Sequence, residues 1–311
     1  MADTFHPPAK FSHPDVTAKG ETRASVGWSG LKTLWLNTGT LCNIECANCY
    51  IESSPKNDRL VYLTLADVLP FLDELTEQAE IGITGGEPFM CPDILAIMGA
   101  ALVRGHSLLV LTNAMRPMMR PRVQAGLKDL AARYGARMTL RVSLDSHDAA
   151  LNDAERGEGA FAEACTGLAW LAQAGIPVAI AGRQSLHESE DAAREGYRAL
   201  IASLGLTLNA DDAKQLVLFP EMIARDDPPE ITTACWGILN KAPDSIMCSS
   251  QRMVVRRKGA SAPRVLACTL LVDDPAFDLG NTLAEATAAP VKLNHPWCAS
   301  FCVLGGASCS A

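Results

Sequence analysis

Cys42, Cys46 and Cys49 form a C-x3-C-x2-C run directly after a strand-like segment. A loop with these spacings can turn three thiolates onto one metal centre, leaving a fourth position without a cysteine. That is the arrangement of a reactive site more than of a sealed structural one. Zinc normally draws C-x2-C pairs, and no second pair follows nearby, so an iron–sulfur cluster or catalytic metal leads, with zinc or inert thiols as the other readings. A second field begins far downstream, where Cys235, Cys248, Cys268, Cys298, Cys302 and Cys309 fall within the last quarter of the chain. Cys248 and Cys268 bound a predicted β-hairpin, Gln251–Arg257 and Pro263–Thr269, whose glycine turn is Lys258-Gly259-Ala260-Ser261. A hairpin brings its ends together, and Cys298-x3-Cys302 could complete a four-thiolate set. Cys309 and Cys235 compete for those last two places. Cys91 and Cys165 lie in or beside helical patterns and read as small buried residues.

The elements that must position these residues alternate in type. Strand candidates are Lys32–Asn37, Ile81–Thr84, Ser107–Thr112, Arg137–Leu144, Ile176–Ala181 and Gln215–Phe219. Helical periodicity fills the intervals at Leu65–Gln78, Ile94–Arg104, Arg122–Tyr134, Gly159–Ala174 and Ser189–Leu204. Alternation of this kind implies right-handed βαβ units and a parallel sheet. Six repeats favour an α/β partial (β/α)6 TIM-like barrel, with an open doubly wound sheet as the alternative. Either way chemistry is expected at the carboxyl ends of the strands. The predicted organisation is an irregular lead-in at 1–30, a core at 31–225 and a small cysteine-rich β-hairpin/helix domain at 226–311, which includes a short helix at Ile231–Asn240.

Thr40-Leu41-Cys42-Asn43-Ile44-Glu45-Cys46-Ala47-Asn48-Cys49-Tyr50 resembles the cluster loop of the radical S-adenosylmethionine (SAM) superfamily. The resemblance implies that three cysteines hold a [4Fe–4S] cluster whose fourth iron SAM chelates, and that reductive cleavage of SAM gives a 5′-deoxyadenosyl radical. The residue before the third cysteine is often aromatic in that family; here it is Asn48. Gly85-Gly86-Glu87-Pro88 after the second strand resembles the family's Gly-Gly-Glu motif, which receives the SAM amino group. Glycine permits close approach of backbone to a ligand, and a carboxylate accepts from an ammonium. Thr112-Asn113 and Ser143-Leu144-Asp145-Ser146 also match the family's strand ends, so Asn113 and Ser143 become candidate SAM contacts and Asp145 a candidate catalytic residue facing substrate. Arg183, past the fifth strand, is a candidate partner for a carboxylate because its guanidinium binds bidentately.

The second field looks like the auxiliary-cluster domains of this superfamily, of the twitch or a shortened SPASM type. That resemblance implies a second [4Fe–4S] cluster on Cys248, Cys268, Cys298 and Cys302, aiding net oxidation or rearrangement of a small molecule, with electrons from a flavodoxin- or ferredoxin-type donor. Only about 30 residues precede the first core strand, fewer than a fused peptide-recognition domain needs, so a small molecule is preferred to a ribosomal peptide. The reading from another class is a noncatalytic iron–sulfur or zinc scaffold. Arg256-Arg257-Lys258 reads as a solvated hairpin tip, His295 as a loop residue within reach of iron, and Trp236 and Trp297 as shields for a cluster.

Lysine and arginine number 27 against 35 acidic residues, a net charge of −8, which argues against a generic nucleic-acid binder. No apolar run approaches the roughly 20 residues of a membrane helix, and the first residues lack a secretion signal, so a cytoplasmic location is expected.

Overall fold

A computed structural model describes residues 9–184, 188–220 and 227–305. Its main sheet contains β2 (Thr33–Asn37), β3 (Glu80–Thr84), β4 (Ser107–Thr112), β5 (Met138–Ser143), β6 (Val178–Gln184) and β7 (Leu216–Pro220), preceded in the chain by β1 (Ser25–Val26). From β2 to β7 each strand lies parallel to the next in chain order. A doubly wound sheet reverses its strand order part-way; this one does not, and it is the partial barrel.

The connecting helices are α1 (Leu65–Asp73), α2 (Ile94–Val103), α3 (Pro121–Tyr134), α4 (Ala149–Arg156), α5 (Ala160–Gln173) and α6 (Glu190–Ser203). The start of α1 is set by a capping box between Thr64 and Asp67. It ends well before Gln78, with Pro70 inside it and no amide hydrogen there to continue the ladder. α4 occupies an interval to which the periodicity assigns no element. Asp148 caps its start by accepting from the Leu151 amide, and Gly157 at φ 100° ends it. Leucine, isoleucine and valine from the strands and the inner helix faces form one continuous core, including Leu34, Ile81, Val110, Leu140 and Ile180.

The tail is built onto this sheet. β8 (Gln251–Val255) runs parallel to β2 on its open side, and β9 (Arg264–Leu266) pairs antiparallel with β8. The expected hairpin is present, shorter at both ends. Of the expected helix Ile231–Asn240 only α7 (Cys235–Ile238) is α-helical. After α8 (Leu283–Thr287) and β10 (Val291–Lys292), a π-helical turn spans Cys298–Val303. The lead-in is stitched into this region: β1 pairs with β10, Ala24 and Val26 join a second core with Ile246, Phe277 and Leu293, and buried Arg23 pairs with Glu230. The basic run is not a free tip. Arg256 pairs with Asp67, Arg257 with Asp278 and Lys258 with Asp58.

Candidate functional site

The cysteine loop leaves the end of β2 and is fastened from three sides. The Thr40 amide donates to the Leu60 carbonyl, and the Cys42 amide to that of Ser54. The Ala47 amide donates to the Glu155 carbonyl at 2.8 Å, and the Asn48 side chain donates to the Glu155 carboxylate. Asn48 thereby ties the loop to the last turn of α4, a polar attachment in place of the aromatic residue usual in the family. The third attachment comes from β3. Gly86 donates to the Gly39 carbonyl and Glu87 to that of Leu41.

The two glycines are needed for that approach. A Cβ on Gly86 would lie 2.2 Å from the Leu41 carbonyl oxygen, and one on Gly85 would lie 2.7 Å from that of Gly39. The space a side chain would fill is therefore occupied by the cysteine loop itself.

Glu87 is buried, at 1% exposed. Its oxygens accept from Thr112 Oγ1 at 2.9 Å, from the Asn113 amide at 2.9 Å and from the Phe89 amide at 3.1 Å. Burial outweighs these donors and pushes its carboxyl up to about 7. Asn113 in turn donates to Asn43 Oδ1 at 2.9 Å and points its amide at Cys42 Sγ, 3.9 Å away. The backbone after it is left-handed at Ala114, φ 56°, held by the Thr112 and Asn113 side chains against Gly167 of α5. Gly85, Gly86, Glu87 and Asn113 thus form one unit that holds the cysteine loop over the strand ends.

The three thiols lie close enough to influence one another. Burial pushes Cys42 up to about 12 and raises Cys46, against which the Arg156 guanidinium acts in the opposite direction. Among the described residues no three His, Cys, Asp or Glu side chains close on a single-ion site. The donor set fits a cluster with three protein ligands: three thiols on one locked loop, with a cationic group facing them.

Beside this loop is a cavity of about 210 Å³. Ser143, Asp145 and Arg183 line it from the ends of β5 and β6, together with Thr84, Tyr50 and Arg156. Asp145 is held between two cations. Arg156 Nε stands 2.9 Å from one of its oxygens and an Arg183 nitrogen 3.6 Å from the other. Its own amide donates to buried Asn152. Arg156 and Glu155 join this candidate site although no motif in the sequence marks them. The aspartate cap and glycine stop around α4 were the available signals.

The second cysteine field also converges. Cys248, Cys268, Cys298 and Cys302 all line one small cavity under β8. Cys235 is not among its lining residues; its sulfur accepts from the Thr232 amide. Cys309 lies outside the described residues. His295 Nδ1 accepts from the Trp297 amide, while Trp236 and Trp297 pack on the tail core. Cys91 and Cys165 are buried, Cys91 donating to the Leu63 carbonyl. Trp35, Met247, Thr269 and Cys302 line both cavities, so one wall separates the tail cysteines from the space at the strand ends.

Residues 36–190 match the model of the Radical SAM superfamily. The chain belongs to that superfamily. Radical SAM proteins bind a [4Fe–4S] cluster and SAM, in keeping with the thiol loop on β2. Two curated relatives are similar in sequence over part of the chain. The antilisterial bacteriocin subtilosin biosynthesis protein AlbA of Bacillus subtilis is 32% identical over 143 residues, 45% of this chain and 30% of AlbA. The mycofactocin maturase MftC of Mycolicibacterium smegmatis is 30% identical over 173 residues, 54% of this chain and 41% of MftC. The aligned part is thus less than half of either relative. Among solved structures, Streptococcus suis SuiB bound to S-adenosylmethionine superposes with TM-score 0.59 at 12% identity, covering 81% of this chain and 63% of that one. The structure of anSMEcpe with bound AdoMet and Cp18Cys peptide gives 0.58 at 13%, covering 84% and 81%. At these identities the likeness is one of fold. No helix among the described residues is long and apolar enough to cross a membrane.

Proposed function

We propose that this chain is a radical SAM enzyme that modifies a peptide side chain, with Cys42, Cys46 and Cys49 holding the SAM-binding cluster and Cys248, Cys268, Cys298 and Cys302 an auxiliary one. The observation that carries the reading is the shared wall: the strand-end cavity and the four-cysteine cavity meet at Trp35, Met247, Thr269 and Cys302. On this reading residues 31–225 are the core and 226–311 the auxiliary region. The maturase and bacteriocin-biosynthesis relatives support a peptide over the small molecule preferred from the length of the lead-in.

When bound, the cluster and SAM supply a 5′-deoxyadenosyl radical able to take hydrogen from an unactivated C–H bond. The chain's own residues select that bond. Trp35, Leu111, Phe219, Leu270 and Phe301 give the cavity an apolar lining that excludes water from a reactive intermediate. Ser143 and Arg183 are at its polar side, where SAM's ribose or carboxylate, or a substrate carboxylate, can be oriented. Asp145 holds both arginines and thereby the polar rim; its ion pairs favour this positioning role over proton transfer.

Anaerobically reconstituted protein with dithionite and SAM should release 5′-deoxyadenosine, and a substrate peptide deuterated at the reacting carbon should pass deuterium into it. An iron-loaded protein that fails to bind SAM would instead be a noncatalytic scaffold. Deuterium transfer from a small molecule and from no peptide would restore the small-molecule reading.

A further inference from the structure

Arg252 of β8 is 1% exposed and lines the four-cysteine cavity. Its guanidinium donates to the carbonyl oxygens of Cys248 at 2.7 Å, Gln251 at 2.7 Å and Ala286 at 2.9 Å, and lies 4.2 Å from the centre of the Trp28 ring. All of these partners are uncharged. Among the described residues no carboxylate lies within ion-pair distance of it, whereas the comparably buried Arg23 pairs with Glu230. A charge taken out of water without a counter-charge is costly, and carbonyl dipoles offset only part of that cost. No carboxylate among the described residues pairs with it to supply that negative charge. Four thiols open onto the same cavity, and a [4Fe–4S] cluster held by four thiolates carries net negative charge, increased by one electron on reduction.

We propose that Arg252 is the built-in counter-charge of the group held by Cys248, Cys268, Cys298 and Cys302, and that it raises that group's reduction potential. This rests on the auxiliary-cluster reading above. A fixed cation beside the cluster stabilises the reduced, more negative state more than the oxidised one, which moves the potential upward. Lysine at this position would keep the charge but lose the planar fork that reaches three carbonyls; methionine would fill similar volume without charge.

The test uses the full chain with Cys42, Cys46 and Cys49 replaced by alanine, so that only the tail binds iron. Iron content and the midpoint potential, followed by electron resonance, are compared for this parent and for Arg252→Lys and Arg252→Met in it. Arg252→Met is expected to shift the potential downward and Arg252→Lys to hold it near the parent value. Iron retained by Arg252→Lys but lost by Arg252→Met also supports the counter-charge. An unchanged or higher potential in an iron-loaded Arg252→Met variant overturns the proposal, as does equal loss of iron in both variants, the mark of a purely structural arginine. A parent that takes up no iron, or only zinc, overturns the auxiliary-cluster reading itself, and is seen before Arg252 is altered.

Discussion

Arg156 Nε stands 2.9 Å from an Asp145 carboxylate oxygen, joining the last turn of α4 to the end of β5 at the cavity. Their side chains are only 12% and 11% exposed, so the pair is partly desolvated, and Arg183 is the second cation on the same carboxylate. Removing one member of such a pair leaves a buried charge uncompensated, at a cost of about 3–5 kcal/mol. Asp145→Asn should be the more damaging change, since it strands two guanidinium groups; Arg156→Gln leaves Asp145 with Arg183. Urea denaturation of both variants and of the double variant should show the double costing less than the sum of the singles.

Replacing Cys42, Cys46 or Cys49 by alanine is expected to abolish reductive cleavage of SAM, because the three thiolates act together on one cluster. The measurement is 5′-deoxyadenosine released under dithionite. Full release from Cys46→Ala would remove the loop from the catalytic reading.

Gly86→Ala puts a methyl group 2.2 Å from a backbone oxygen of the cysteine loop, which has to move to admit it. The variant should lose the iron bound by Cys42, Cys46 and Cys49 while keeping that of the tail, about half the total. Gly237→Ala, where a Cβ meets nothing within 4 Å, is the control and should retain all of it.

Glu87 gives a stability that depends on pH. Its carboxyl moves from 4.5 up to about 7 on burial, so between those values the native state keeps a proton that the unfolded chain has released. The contribution is fully present below about pH 4.5 and is lost as pH rises through 7. In Glu87→Gln the side-chain amide must face one of the two backbone N–H groups that the carboxylate oxygens now accept from, at a cost of about 1–3 kcal/mol. Urea midpoints at pH 5 and pH 8 should show the deficit of the glutamine variant largest at pH 5 and smaller at pH 8. An equal deficit at both would mean that Glu87 does not titrate in this window.

In the variant lacking Cys42, Cys46 and Cys49, further replacement of Cys298 or Cys302 by alanine should remove the remaining iron, and replacement of Cys235 should not. Iron analysis decides between these outcomes.

The strand and helix pattern, the C-x3-C-x2-C loop and the Gly-Gly-Glu turn at a strand end were legible in the sequence because each is a relation between near neighbours along the chain. Apolar periodicity specifies a strand or helix locally, and a short spacing specifies which thiols share a loop. The run Ser107–Thr112 is a strand at the bounds its pattern implies. The facing and burial of side chains depended on segments far apart in the chain. Whether Gly85 and Gly86 leave room for a ligand or for the cysteine loop was decided by the docking of β3 against the turn after β2. Whether Asp145 is free or paired was decided by α4, whose cap signals do not say what its last turn will touch. The attachment of β8 to β2 brings the tail cysteines to the barrel, and in that contact Trp35 Nε1 donates to Gln251 Oε1 at 2.9 Å across 216 positions of sequence. No local pattern encodes such a pairing; it follows from two segments burying each other's apolar faces and bringing buried polar atoms within hydrogen-bond reach.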